Sequence, residues 1–404
     1  MDFLVGTFNH PSLYTLHFDP SDSSLTIVRE HAAISGHSWL SLAQDPRSGT
    51  SHRTLYCTAW TKPQPSVAAY SVKSSGRDVQ FLNAKPVNAL SGYVCANNTH
   101  VFSAGGSSGE VFRLEADGSI GQLVQELDFV TGQGENVSEQ RGEVPHGSYG
   151  GLRHGAHSVD LSPDGRSIYI SDIGRNCIWT YSVSSIRDSD TPPLKLGTKH
   201  ISPRSHDGPR HTWPHPNGKV LYSLQEHSSI VDLFSIGEDG VTLKHEQGVK
   251  IIPAEKDVSL YWADEVRIST GPDSKKPQYL YASTRGLEAH TMGYVAVFAI
   301  DPETGRFASE EAIHIWETPT SGGIANAIEP APWIKQSDGS HVQYLAMTDS
   351  QEGWVFVLQF DAREGRIQEV TKLNLGKTEE GQVVQAATAV WVGNGAGGRV
   401  DLGI

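Results

Sequence analysis

Cysteine is scarce: Cys57, Cys95 and Cys177 are the only three in 404 residues. An odd, widely spaced set without a CxxC pair builds no disulfide framework, so a reducing, cytoplasmic setting is the expectation. Long apolar runs are missing as well. No stretch reaches the roughly 18 apolar residues that a membrane span needs. The start, "MDFLVGTFNHPS", lacks the basic and apolar regions of a secretory leader. The sequons at Asn97 and Asn136 are then chance matches. Positive charge is also short, with 32 Lys and Arg against 46 Asp and Glu and a formal net charge of −14. With no basic run to offset it, this balance argues against nucleic acid or an anionic membrane as partner. A small anion held by local cations in one pocket stays compatible.

Glycine, by contrast, is plentiful. Forty-one residues, about a tenth of the chain, point to tight turns rather than long helices. Between the turns a pattern repeats. A short apolar strand, a loose connection and a second alternating strand recur every 46–67 residues. The first strands are "FLVGTF" at 3, "TLYCTAW" at 54, "HVFSAGG" at 100, "SIYISD" at 167, "VLYSLQE" at 220, "YLYASTR" at 279 and "YLAMTD" at 344. Most units are preceded by a small-residue strand such as "HSVDLSPDG" or "RHTWPHPNG". The first unit lacks one, and a spare strand of that type, "QAATAVWV", stands at 385–392. Sheets this small cannot bury both faces alone and pack radially instead. The expectation is all-β: a seven-bladed β-propeller spanning 1–404 as one domain, closed by the C-terminal strand completing the first blade.

Two long connections interrupt the pattern, at 126–153 and at 186–209, and the first is expected to cap one face. Several motifs carry nothing. "GGSSG" at 105–109 matches a nucleophile elbow but sits in a hairpin rather than a strand-to-helix turn. "GNGAGG" at 393–398 has no room for the helix a dinucleotide site needs. His154 with His157, and His211 with His215, have spacings that do not bring two ligands together on a strand, so no metal is expected.

Register singles out four residues. Six positions before the turn proline, Pro163 gives His157 and Pro216 gives Arg210. Four positions after the tyrosine of the next strand, Tyr222 gives Glu226 and Tyr281 gives Arg285; the same step from Leu345 gives Asp349, and elsewhere it holds Trp60 and Gly106. In a propeller these positions share one mouth. Two guanidiniums suit a carboxylate or phosphate. An imidazole and a carboxylate beside them suit proton transfer near neutral pH.

At these residues the sequence resembles the fungal carboxymuconate cyclase branch of the seven-bladed lactonase family, which also includes bacterial 6-phosphogluconolactonases. The resemblance is carried by "LYWADEVRIST", "YASTR", "TPTSGG", "NAIEPAPW" and "MTDSQEGWVFV", and it fades over residues 1–150 to the repeat alone. It implies a cofactor-free, metal-free intramolecular lyase acting on an unsaturated polycarboxylate such as 3-carboxy-cis,cis-muconate. A carboxylate adds to a conjugated double bond and the neighbouring carbon is protonated. The family's active-site histidine, glutamate and two arginines fall on His157, Glu226, Arg210 and Arg285. Arg210 and Arg285 would then bind substrate, with His157 or Glu226 as the proton donor. Ile324 and Ala325 depart from the polar residues of the cyclase pattern, which leaves the exact substrate open. A lactone hydrolase and a non-catalytic binding propeller are the competing readings, and a homo-oligomer is compatible with each.

Overall fold

Strand alternation and turn glycines resolve into seven antiparallel sheets around an axis, with no α-helix among the described residues. The computed structural model describes residues 1–44, 53–129, 155–184, 191–335 and 341–392. Every blade is a four-stranded meander with its small-residue strand innermost, and blade seven carries one further short strand. Blade four runs Ala156–Leu161, Ser167–Asp172, Cys177–Val183, Leu194–Ile201. Blade five runs Pro209–Pro214, Val220–Gln225, Ile230–Ile236, Leu243–Lys250, and blade six Tyr261–Ile268, Tyr279–Gly286, Tyr294–Ala299, His314–Glu317. Burial falls outward. The two inner strands are almost wholly buried and the third is buried through its middle, whereas in an outermost strand such as Leu243–Lys250 only Leu243 and Val249 are buried.

Closure follows the expected scheme. Ala386–Val392 pairs antiparallel with Asp2–Thr7, placing Trp391 opposite Phe3, and so supplies the innermost strand of blade one. Trp391 is buried and its indole N–H donates to the carbonyl of Glu329 in blade seven at 2.9 Å, joining the two blades where the ring shuts. Emptying that site by Trp391→Ala would cost about 3–5 kcal/mol, the usual penalty for truncating a buried large aromatic.

The connection at 186–209 is corrected by the structure. Leu194–Ile201 within it is the outer strand of blade four, unread in the sequence because Lys195, Gly197 and Lys199 break its apolar pattern. Most of the 126–153 insertion, Asn136 included, His154 just beyond it and the "GNGAGG" tail lie outside the described residues. "GGSSG" is a hairpin as expected, with Gly105 opposite Ser108. No helix among the described residues is long and apolar enough to cross a membrane.

The feature that positions side chains is a bulge repeated in the innermost strands. In blade four Ala156 pairs with Asp172 and Ser158 with Ser171, leaving His157 as the extra residue. Blade five does the same at Arg210, between the pairs Pro209–Gln225 and His211–Leu224. Blade six does it at Asp264, between Ala263–Thr284 and Glu265–Ser283. A bulge residue is released from the ladder and its side chain re-aimed, and here all three point to one cavity.

Candidate active site

The cavity is about 290 Å³, near the small end of the range for small-molecule sites. Two registers line it. The bulge positions give His157, Arg210 and Asp264, and the residues at the ends of the second strands give Phe8, Trp60, Ile173, Glu226 and Arg285. All four residues singled out in the sequence therefore meet at one cavity. Asp349 does not join them: its carboxylate accepts from the backbone N–H groups of Gln351 and Glu352 at 2.7 and 3.1 Å, holding its own turn. Gly106 is also absent from the lining; its backbone pairs with Ala156 of blade four.

The lining is two-sided. Blades four to six supply the charged groups, while Phe8, Trp39, Trp60, Leu90 and Ala327 make the rest of the wall largely apolar. Arg210 is held tightly. Its Nη1 donates to Glu226 Oε2, its Nη2 to Asp264 Oδ1 at 2.9 Å and its Nε to the Asp264 carbonyl at 3.0 Å. Three of the five N–H groups of a guanidinium are thus engaged, and two are left for a ligand. Burial alone would push the Glu226 carboxyl up, but Arg210, His227 and Arg285 outweigh it and hold it below its ordinary range, so Glu226 is ionised.

Arg285 stands on a platform built from the "PTSGG" segment. Gly322 and Gly323 adopt φ of +86° and +68°, the left-handed region that favours glycine. Ser350 Oγ pins the turn by accepting from the N–H groups of Ile324 (2.6 Å) and Ala325 (3.3 Å) and donating to the Gly322 carbonyl (3.0 Å). The carbonyls of Gly323 and Ile324 then accept from Arg285 Nη1. The guanidinium also lies 5.1 Å from the ring centre of Trp262, a cation–π contact.

His157 is 7% exposed, and its Nδ1 is buried without a hydrogen-bond partner among the described residues. Burial, reinforced by Arg210, His211 and Arg285, pushes its imidazole well below the usual histidine range. It rests neutral. Sequence reasoning missed Asp264, Trp262, Trp39, His211 and Glu265, all of which line the cavity. One signal was available for Asp264, which stands six residues before Thr270 as His157 and Arg210 stand before their prolines. Among the described residues no group of three or more His, Cys, Asp or Glu is arranged to hold a metal ion.

Comparison with known proteins adds a lineage to this geometry. Residues 2–372 match the family model described as "Lactonase, 7-bladed beta-propeller". A protein named muconate cycloisomerase 1 from Cutaneotrichosporon cutaneum is 40% identical over 97% of this chain and 98% of its own. One named carboxy-cis,cis-muconate cyclase from Neurospora crassa is 28% identical over 51% of this chain and 53% of its own. Among solved structures, a periplasmic gluconolactonase from Pseudomonas aeruginosa superposes with a TM-score of 0.72 at 20% identity, covering 97% of this chain and 99% of that one, a likeness of fold alone.

Proposed function

Because the chain belongs to the lactonase family of seven-bladed β-propellers, and shares 40% identity with a relative named muconate cycloisomerase, we propose that it is an intramolecular lyase closing a muconate-type unsaturated polycarboxylate to a lactone. The observation that carries this reading is the division of the cavity. Arg210 and Arg285 lie beside a neutral imidazole on one side, and an aromatic, apolar wall fills much of the other. A flat conjugated chain ending in carboxylates matches both halves.

The chemistry needs little else. One substrate carboxylate adds through oxygen to the nearer carbon of the more distant double bond, closing a five-membered ring. The displaced electron pair collects on the carbon next to the second carboxylate as an enolate, and that carbon takes a proton. A dicarboxylate dianion thus becomes a lactone monoanion, and each turnover consumes one proton. Arg285 and the two remaining N–H groups of Arg210 would bind the carboxylates and stabilise the charge that develops on the enolate. Glu226 and Asp264 hold Arg210 in that pose. His157, carrying one N–H as a neutral imidazole, would hand the proton over. No step calls for a metal or cofactor, and activity should survive chelation.

Turnover of cis,cis-muconate and 3-carboxy-cis,cis-muconate, followed as loss of diene absorbance, tests the reading. Opening of sugar lactones with both muconates inert would transfer the protein to the hydrolase reading. Inertness toward both classes, with thermal stabilisation by a polyacid, would make it a binding propeller.

A further inference from the structure

Cyclisation needs a proton each turnover, in a cavity where His157 rests neutral and Glu226 rests ionised. Beside His157 lies a second pair of buried groups that this mechanism has not used. His211 packs its ring 5.1 Å from that of His157, centre to centre. Its Nδ1 is 2.8 Å from Glu265 Oε1. His211 Nε2, His157 Nδ1 and Glu265 Oε2 are all buried without a hydrogen-bond partner among the described residues. His211 is 3% and Glu265 0% exposed, yet both line the cavity. Unpartnered polar atoms cost stability when buried, and three of them in succession beside the reacting group call for an explanation.

Resting on the cyclising reading, we propose that Glu265 is the proton reservoir of the site and that His211 relays its proton to His157. Proton and charge balance at every stage. His157 gives its Nε2–H proton to the substrate carbon and takes at Nδ1 the Nε2–H proton of His211 when the two rings, 5.1 Å apart centre to centre at rest, turn to hydrogen-bond distance. His211 takes at Nδ1 the proton of Glu265. Both imidazoles end neutral in their other tautomer, and Glu265 ends as a carboxylate. After product leaves, a solvent proton arriving at His157 Nε2 drives the same shifts backwards and recharges Glu265.

The surroundings fit a group that must gain and lose a proton near neutrality. Burial raises the Glu265 carboxyl, while Arg267, the Val266 N–H and Arg210 restrain the rise, leaving it at about 7. Arg267 Nη1 and the Val266 N–H (3.0 Å) donate to Oε1 and stabilise the carboxylate once formed. Arg267 is itself held by Glu329 at 2.7 Å and lies over Trp213, so it cannot follow the proton. Around His211 stand Arg210, Arg267, Asp264 and Asp160, with Trp39 and Tyr93 against the ring edge. Burial, followed by the two arginines, lowers the His211 pKa well below the ordinary value, which keeps the relay uncharged.

The test begins on resting protein. The infrared C=O absorption of protonated carboxylic acids should contain a component that fades through about pH 7, distinct from that of Asp349 at about 6, and this component should be missing from Glu265→Gln. With muconate, Glu265→Gln should lose about 10²-fold in kcat, the usual scale of acid catalysis, with KM changed less than about twofold. Glu265→Asp, which keeps an acid, should recover part of the loss. In wild type, rates in mixed light and heavy water should bow with deuterium fraction, as several protons moving together require. Absence of the titrating band, or a straight line in the mixed solvents, would overturn the proposal. The band needs no substrate, so it judges the reservoir even where failure of muconate turnover has overturned the function.

Discussion

Arg210 and Asp264 occupy the same bulge position in adjacent blades and are joined twice, guanidinium to carboxylate at 2.9 Å and guanidinium to backbone carbonyl at 3.0 Å. Asp264 also accepts the Asn326 N–H at 2.9 Å and lies 4.0 Å from the Nε of Arg285. One carboxylate therefore sets both arginines. A strand bulge that elsewhere would only bend the sheet here fixes the spacing of two cations across a blade boundary.

Asp264→Ala should unfold more easily by about 3–5 kcal/mol, because removing one partner of a buried pair leaves the other charge uncompensated. Urea denaturation measures the loss, and kcat/KM should fall by at least about tenfold alongside it. Asp264→Asn, which can keep the Arg210 contact but loses an anionic acceptor for the Asn326 N–H, should lie between that variant and wild type in both readouts.

The glycine platform is open to an equally direct change. A methyl group on Gly323 would sit 2.7 Å from Ser350 Oγ and 2.8 Å from the Gln351 nitrogen, at a φ that strains any L side chain. Gly323→Ala should raise KM for the dicarboxylate by about tenfold or more through displacement of the carbonyls that brace Arg285, with a smaller change in kcat. Steady-state kinetics separates the two. An unchanged KM would detach the platform from substrate binding.

The pH dependence of kcat/KM follows from which groups must be protonated. Glu226 must be ionised, and its pKa lies below the ordinary 4.5, so the acid limb should fall below that value. His157 works as a neutral imidazole with its pKa well below 6.5, and no limb should occur there. Glu265 must be protonated, so activity should decline as pH rises through about 7, and that alkaline limb should vanish in Glu265→Gln. Persistence of that limb in Glu265→Gln would mean that His157 carries the extra proton itself.

What the sequence made legible was whatever repeats with period two and turns on glycine or proline. "FLVGTF" and "QAATAVWV" revealed the seven units and their closure because inner strands are apolar on both faces. The outer strand Leu194–Ile201 was illegible, since one covered face leaves a lysine-rich segment that reads as a loop. Arg210 was found by counting from Pro216, and Asp264 was passed over because Thr270 replaces the proline that marks that count. His211 and Glu265 lie one residue beyond the bulge, and nothing local marks them. Their pairing is made by the packing of blade five on blade six, a contact between residues 54 positions apart.

The most direct measurement is the product formed from cis,cis-muconate in heavy water, read by NMR. The expected product is a five-membered lactone carrying a single deuterium on the carbon next to the free carboxylate, on one face only, formed at undiminished rate after chelation. Recovery of unchanged muconate under conditions where sugar lactones are hydrolysed would contradict it.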